Sequence, residues 1–155
     1  MFLLIILGLL AAPFQRPTDI VRWNAAPVTT AVSAGGTLRI QVKATVERGW
    51  KLYAMEQPAG GPAPLAFRIP EEAPYRLNTT AAVAPKPKIW KDDNFDLQTR
   101  YYEREAEFIL PVSVDANASA GRGTIPLEVT FQACGQNICL RPFTQKLNVD
   151  VEIKR

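Results

Sequence analysis

Two cysteines, Cys134 and Cys139, are the residues of this chain whose type and spacing point most directly to chemistry. They stand in the stretch Phe131-Gln132-Ala133-Cys134-Gly135-Gln136-Asn137-Ile138-Cys139-Leu140-Arg141-Pro142, with four residues between them. Gly135 and Asn137 are turn formers, and alternating strand patterns lie on both sides. The spacing predicts a tight hairpin with a cysteine at each shoulder, able to close a disulfide without long-range folding. Such a bridge is either a structural staple or a working redox centre. Closing so short a loop removes little unfolded-state entropy, which weakens the staple reading. A short, exposed loop is also where a reducible disulfide belongs. The nucleophile would be a thiolate, made accessible by the loop and favoured by the neighbouring Arg141.

Other candidates carry less. Phe95 sits in a polar run, Lys91-Asp92-Asp93-Asn94-Phe95-Asp96. A ring in that setting is either a packing plug for its loop or a lid that screens a reactive site from stray thiols. Glu103, Glu105 and Glu107 alternate as a solvated strand face does, and no acid–base pair can be picked from them or from Asp92, Asp93 and Asp96. Gly35-Gly36, Gly60-Gly61 and Gly121-Arg122-Gly123 lack the Lys-Ser/Thr of a phosphate loop and read as turns. Asn78-Thr79-Thr80 and Asn117-Ala118-Ser119 match the short glycosylation acceptor pattern. Histidine is absent. That excludes Ser-His-Asp and Cys-His catalysis and any histidine-based zinc or haem site.

The elements that must position the cysteines are strands. The chain has 155 residues, enough for one domain with a substantial core. Its net charge is +3 with no Lys/Arg cluster, so no nucleic-acid partner is expected. Thirteen prolines argue against long helices. Phe2 to Ala12 is an apolar run broken only by Gly8, too short to span a bilayer comfortably. Residues 1–16 are therefore expected to be a secretory signal segment, although no Lys or Arg precedes the run and Pro13 follows it. A buried strand is the alternative. Export would place the cysteines in an oxidising compartment. Leu38, Ile40, Val42, Ala44 and Val46 alternate along one strand. Arg48-Gly49 turns the chain into Trp50–Ala54, and Leu65–Ile69 is another strand. Prolines between Pro70 and Pro87 confine any strand there to an edge. Ile89–Asp96 reads as a loop. Tyr101–Val114 reads as one long strand with Tyr102, Arg104, Ala106, Phe108 and Leu110 on one face. Ile125 to Phe131 and Phe143 to Ile153 alternate again. Many short strands with turn punctuation and no convincing helix predict an antiparallel β-sandwich or barrel. Parity along the last two strands puts Cys134 and Cys139 on opposite faces. A bulge near Gly135 or an irregularity at Pro142 is needed to bring them together.

Three stretches resemble the family of N-terminal periplasmic domains of the thiol:disulfide interchange protein DsbD. They are Gly49-Trp50-Lys51-Leu52-Tyr53, then Trp90–Phe95 with Tyr102 and Leu110-Pro111-Val112, and then Val129–Cys134 through Cys139-Leu140-Arg141-Pro142. The resemblance covers the chain from about Val21 onward. It implies an all-β, immunoglobulin-like antiparallel sandwich over residues 17–155, with Cys134 and Cys139 catalytic in a reversible disulfide. Cys139 would form the mixed disulfide with a partner and Cys134 would resolve it. Phe95 would cap the pair, Asp92 and Asp93 would be acids of the cap loop, and Tyr53 and Trp50 would neighbour the site. The implied activity is that of a periplasmic protein-disulfide reductase component that relays electrons without metal or organic cofactor. Its partners would be thioredoxin-like and disulfide-isomerase proteins and cytochrome c maturation proteins. No membrane domain follows before Arg155, so a membrane-embedded donor of the DsbD type is expected on a separate chain. The competing expectation is a non-enzymatic immunoglobulin-like binding module with a structural hairpin disulfide.

Overall fold

The computed structural model describes residues 15–155. The expected signal segment, residues 1–16, lies almost wholly outside the described residues. One helical turn, α1 (Pro17–Ile20), opens the described chain. Pro17 stands in its first turn, where a missing N–H costs nothing. Twelve strands follow: β1 (Val21–Pro27), β2 (Ala31–Ser33), β3 (Thr37–Val46), β4 (Lys51–Tyr53), β5 (Ala66–Arg68), β6 (Tyr75–Leu77), β7 (Lys88–Asp92), β8 (Leu97–Tyr102), β9 (Glu105–Val114), β10 (Gly121–Phe131), β11 (Ala133–Cys134) and β12 (Phe143–Lys154). A 3-10 turn spans Thr79–Ala81.

The strands form three four-stranded sheets, ordered β1-β3-β9-β6, β2-β12-β10-β5 and β11-β4-β8-β7. The first two are the layers of an immunoglobulin-like sandwich. Alternation builds the core between them: Leu38, Ile40, Val42, Ala44 and Val46 of β3 are buried, as are Ile125, Leu127, Val129 and Phe131 of β10. Trp23 and Phe108 of the first sheet meet Phe67 and Phe131 of the second, with centroids 5.2 Å apart for Phe67–Phe108 and 5.7 Å for Trp23–Phe131. The chain enters by pairing β1 with β3, then hops layers so that β2 lies parallel to the end of β12. All other strand pairs are antiparallel. The proline-rich segment contributes β6, at the edge of the first sheet, and a single bridge from Val83 to Ile109 of β9.

The third sheet departs from the sequence expectations in two places. Ile89–Asp96 is not a loop. Residues 88–92 pair with 97–101, leaving a turn at 93–96 that closes through Asp96 at φ 54°. The strand escapes notice because it is an edge: Lys88, Ile89, Trp90 and Lys91 are all exposed, so no buried alternation marks it. Nor is Tyr101–Val114 one strand. It breaks at Glu103-Arg104, where Arg104 takes φ 68°, because β8 belongs to the third sheet and β9 to the first. Arg104 is consequently exposed and off the face that Ala106, Phe108 and Leu110 share.

Candidate redox site

The third sheet places the cysteines at one end of the sandwich. Strand β10 stays with β12 as far as Phe131. After Gln132 the chain enters the third sheet as β11, paired with β4. The turn Gly135–Ile138 then brings Cys139 directly opposite Cys134, with Cα atoms 4.1 Å apart and the disulfide closed. The expected irregularity is at Pro142. Phe131 opposes Phe143 and Cys134 opposes Cys139, so residues 132–133 face 140–142 with one residue to spare. That bulge shifts Cys139 onto the face of Cys134, since directly opposed residues of an antiparallel pair point the same way.

The same face carries the surrounding side chains. Register pairs Cys134 with Lys51 and Tyr53 with Tyr101. Tyr53, Tyr101 and Cys134 form a buried cluster against which Phe95 and Cys139 pack. Cys134 has no exposed surface, while Cys139 is half-buried. The Phe95 ring meets Tyr53 edge-on at 5.8 Å. The Lys51 ammonium lies 5.1 Å from the centre of the Tyr101 ring. Trp50 belongs to the main core and backs the hairpin turn, where a Cβ on Gly135 would stand 3.4 Å from its indole.

The two acids of the cap separate. Asp93 is exposed in the turn. Asp92 is only 1% exposed and accepts four hydrogen bonds. Tyr53 Oη donates at 2.7 Å, Thr99 Oγ1 at 3.3 Å, and the Asn94 main-chain N–H and Nδ2 at 3.0 and 3.1 Å. Burial alone would raise the Asp92 pKa. The bonds from Tyr53 and Asn94 and the Lys51 charge outweigh it and hold the carboxyl below its ordinary value. Burial, with the Asp92 bond and charge adding to it, pushes the Tyr53 hydroxyl strongly upward, so it stays a donor. A carboxylate thus ties the end of β7 to Tyr53 of β4, and the turn that follows brings Phe95 against the cluster that Tyr53, Tyr101 and Cys134 form.

Nothing in the sequence marks Thr99, Tyr101, Asn94 or Gln132 as residues of the site. Thr99 and Tyr101 lie on one side of β8 by alternation, a signal that becomes legible once β7 and β8 are known to pair. Arg141 is exposed. Among the described residues no group of three or more His, Cys, Asp or Glu side chains could hold a metal ion. None of the described helices is long and apolar enough to cross a membrane.

Residues 18–151 match the family described as thiol:disulfide interchange protein DsbD, N-terminal. A comparison with curated proteins gives no match. Among solved structures, the chain is similar to the Neisseria meningitidis DsbD N-terminal domain in the reduced form, with TM-score 0.60 at 16% identity over 89% of this chain and 90% of that one. It is similar to the N-terminal periplasmic domain of ScsB from Proteus mirabilis, with TM-score 0.57 at 19% identity, covering 89% of this chain and 49% of that one. A complex between the DsbD and PilB N-terminal domains of N. meningitidis gives TM-score 0.52 at 16% identity over 89% and 88%. At these identities the structural likeness speaks for the fold.

Proposed function

The chain belongs to the DsbD N-terminal domain family, and on that premise we propose that it is an exported thiol–disulfide exchange module working through Cys134 and Cys139. The observation that carries this reading is the asymmetry of the pair. Cys139 reaches the surface beside the exposed turn residues Gln136, Asn137 and Ile138, while Cys134 is sealed among Tyr53 and Tyr101. An approaching sulfur can reach one cysteine and not the other, which supports Cys139 as the partner-facing sulfur and Cys134 as the resolving one.

In the reduced form the Cys139 thiolate attacks a partner disulfide. A mixed disulfide forms and the partner's first sulfur leaves as a thiolate. Cys134, as thiolate, then attacks the Cys139 sulfur. The intramolecular disulfide forms, the bond to the partner breaks, and its second sulfur departs as a thiolate. Two electrons have passed to the partner and the module is oxidised. Phe95 acts as the gate, closed over the pair in the oxidised protein and displaced by a docking partner, and Asp92 through Tyr53 sets how firmly it closes. Residues 17–155 form the working module, residues 1–16 direct its export, and the periplasm is its compartment. Its partners are thioredoxin-like or disulfide-isomerase proteins, a reading that the solved DsbD–PilB complex supports for the class. A membrane-embedded donor of the DsbD type re-reduces it.

Two measurements test the proposal. Equilibration in graded thiol buffers is expected to give a reduction potential above about −300 mV, the range of exchangeable disulfides. Cys134→Ala is expected to trap a covalent complex with a thioredoxin-like protein disulfide, and Cys139→Ser is expected to trap none. A pair that resists reduction, with no trapped complex, would make the bridge a staple and the chain a binding module.

A further inference from the structure

The redox hairpin rejoins the sandwich through its bulge, and one side chain spans the gap. The extra residue at 140–142 interrupts the ladder, and Pro142 has no N–H with which to restore it. Among the described residues, the main chain of 140–142 makes one backbone bond, from Leu140 N–H to the Ala133 carbonyl at 3.0 Å. Gln132 supplies what the ladder lacks. Its Nε2 donates to the Leu140 carbonyl at 3.0 Å, and its Oε1 accepts from the Ala63 N–H at 2.7 Å. Its main-chain carbonyl accepts from Tyr53 N–H at 3.2 Å. A single residue joins the arm carrying Cys139, the loop Pro58–Pro64 and the strand carrying Tyr53.

We propose that Gln132 is a positioning residue for thiol–disulfide exchange: its carboxamide holds the Cys139 arm opposite Cys134 when no disulfide does so. The inference rests on the exchange function proposed above. In the oxidised protein the S–S bond fixes the arm where the carboxamide bond is fully made, whereas in the dithiol the arm can leave and that bond is made only when it returns. Once the disulfide is reduced, the arm is tied by the Gln132 bond and by the backbone bonds Leu140 N–H to Ala133 and Gly135 N–H to Ile138, the latter 2.8 Å. A held arm keeps one sulfur at high effective concentration beside the other. This favours the disulfide over the dithiol, and it speeds the resolving step. In that step Cys134 attacks the Cys139 sulfur, the new S–S bond forms, and the electron pair leaves on the partner's sulfur.

Two variants separate this role from simple stabilisation. Gln132→Glu keeps an acceptor for Ala63 but sets a carboxylate against the Leu140 carbonyl. Gln132→Met removes both side-chain bonds at similar size. Each is equilibrated with wild type in graded glutathione buffers, and release of glutathione from its mixed disulfide at Cys139 is timed. The equilibrium constant for closing the disulfide is expected to fall about tenfold, a potential about 30 mV less negative, and glutathione release is expected to slow by a similar factor. By the same thermodynamic cycle the oxidised Gln132→Glu protein is expected to lose about 1.4 kcal/mol more stability than its dithiol form, the equivalent of that tenfold change. An unchanged potential and release rate in Gln132→Glu overturns the inference, whatever its melting temperature, and that variant is read alone should Gln132→Met fail to fold. A wild-type pair that no glutathione buffer reduces overturns the exchange function instead.

Discussion

At the scale of single residues, the burial of Asp92 and its hydrogen bonds decide how the cap behaves. A buried carboxylate without donors would be costly. Here Tyr53, Thr99 and Asn94 supply them. The Tyr53–Asp92 bond is charge-assisted, so a double-mutant cycle of Tyr53→Phe and Asp92→Ala, read by denaturant unfolding, is expected to give a coupling of about 1–3 kcal/mol. The sign of the pH dependence follows from the lowered Asp92 pKa. A carboxyl lowered by folding contributes its stability above its unfolded pKa of about 4, and that contribution is lost as pH falls through the still lower folded value. The cap is therefore expected to loosen only in acid below about pH 4. Phe95→Ala tests the gate proposed above. Small-thiol reduction at neutral pH is expected to quicken about tenfold in this variant, with the potential unchanged because a gate alters both directions alike. On acidification the wild-type rate is expected to approach that of Phe95→Ala, measured with a phosphine reductant.

At the scale of elements, the site depends on turns that aim short strands. Gly49 at φ +84° turns β3 into β4, with open space where a Cβ would stand. Only backbone strain therefore opposes a side chain there. Gly49→Ala is expected to cost about 1 kcal/mol in denaturant unfolding without changing the potential. The cap itself is a hairpin whose outer strand is an edge. Trp90 is 65% exposed on it, so Trp90→Ala is expected to leave stability within about 0.5 kcal/mol of wild type. The lysines on either side of Ile89-Trp90 guard that edge in the usual way, Lys88 paired with Glu103 and Lys91 with Asp96.

At the scale of the whole molecule, stability and redox chemistry are housed apart. The sandwich is held by rings that cross between its layers, and the disulfide lies in a third, smaller sheet at its end. A bridge across so short a loop contributes about 2 kcal/mol or less. The reduced protein is therefore expected to keep its far-ultraviolet circular dichroism and to unfold cooperatively. Phe108→Ala, by contrast, removes a ring that touches Trp23, Phe67 and Tyr102. It is expected to cost about 3–5 kcal/mol.

The long strands, the cysteine hairpin and the sandwich class were legible because each is written locally. Period-two burial marks β3, β10 and β12, and Gly135 with Asn137 marks the turn between the cysteines. The need for a bulge was also legible, because the parities of Phe131 and Phe143 conflict with a shared cysteine face. Which of the two possible places held it was not, since register depends on how β10 and β12 pair. The cap hairpin stayed hidden because an exposed edge strand has no buried face to impose a pattern. The break at Arg104 stayed hidden because alternation continues on both sides of it while the chain changes sheet. Asp92 and Asp93 are neighbours of one type. Only the pairing of β7 with β8, and of β8 with β4, turned the first toward Tyr53 and left the second in water. Sequence determined which residues could do chemistry; tertiary structure decided which of them meet, because a sheet face is assembled from strands far apart in the chain.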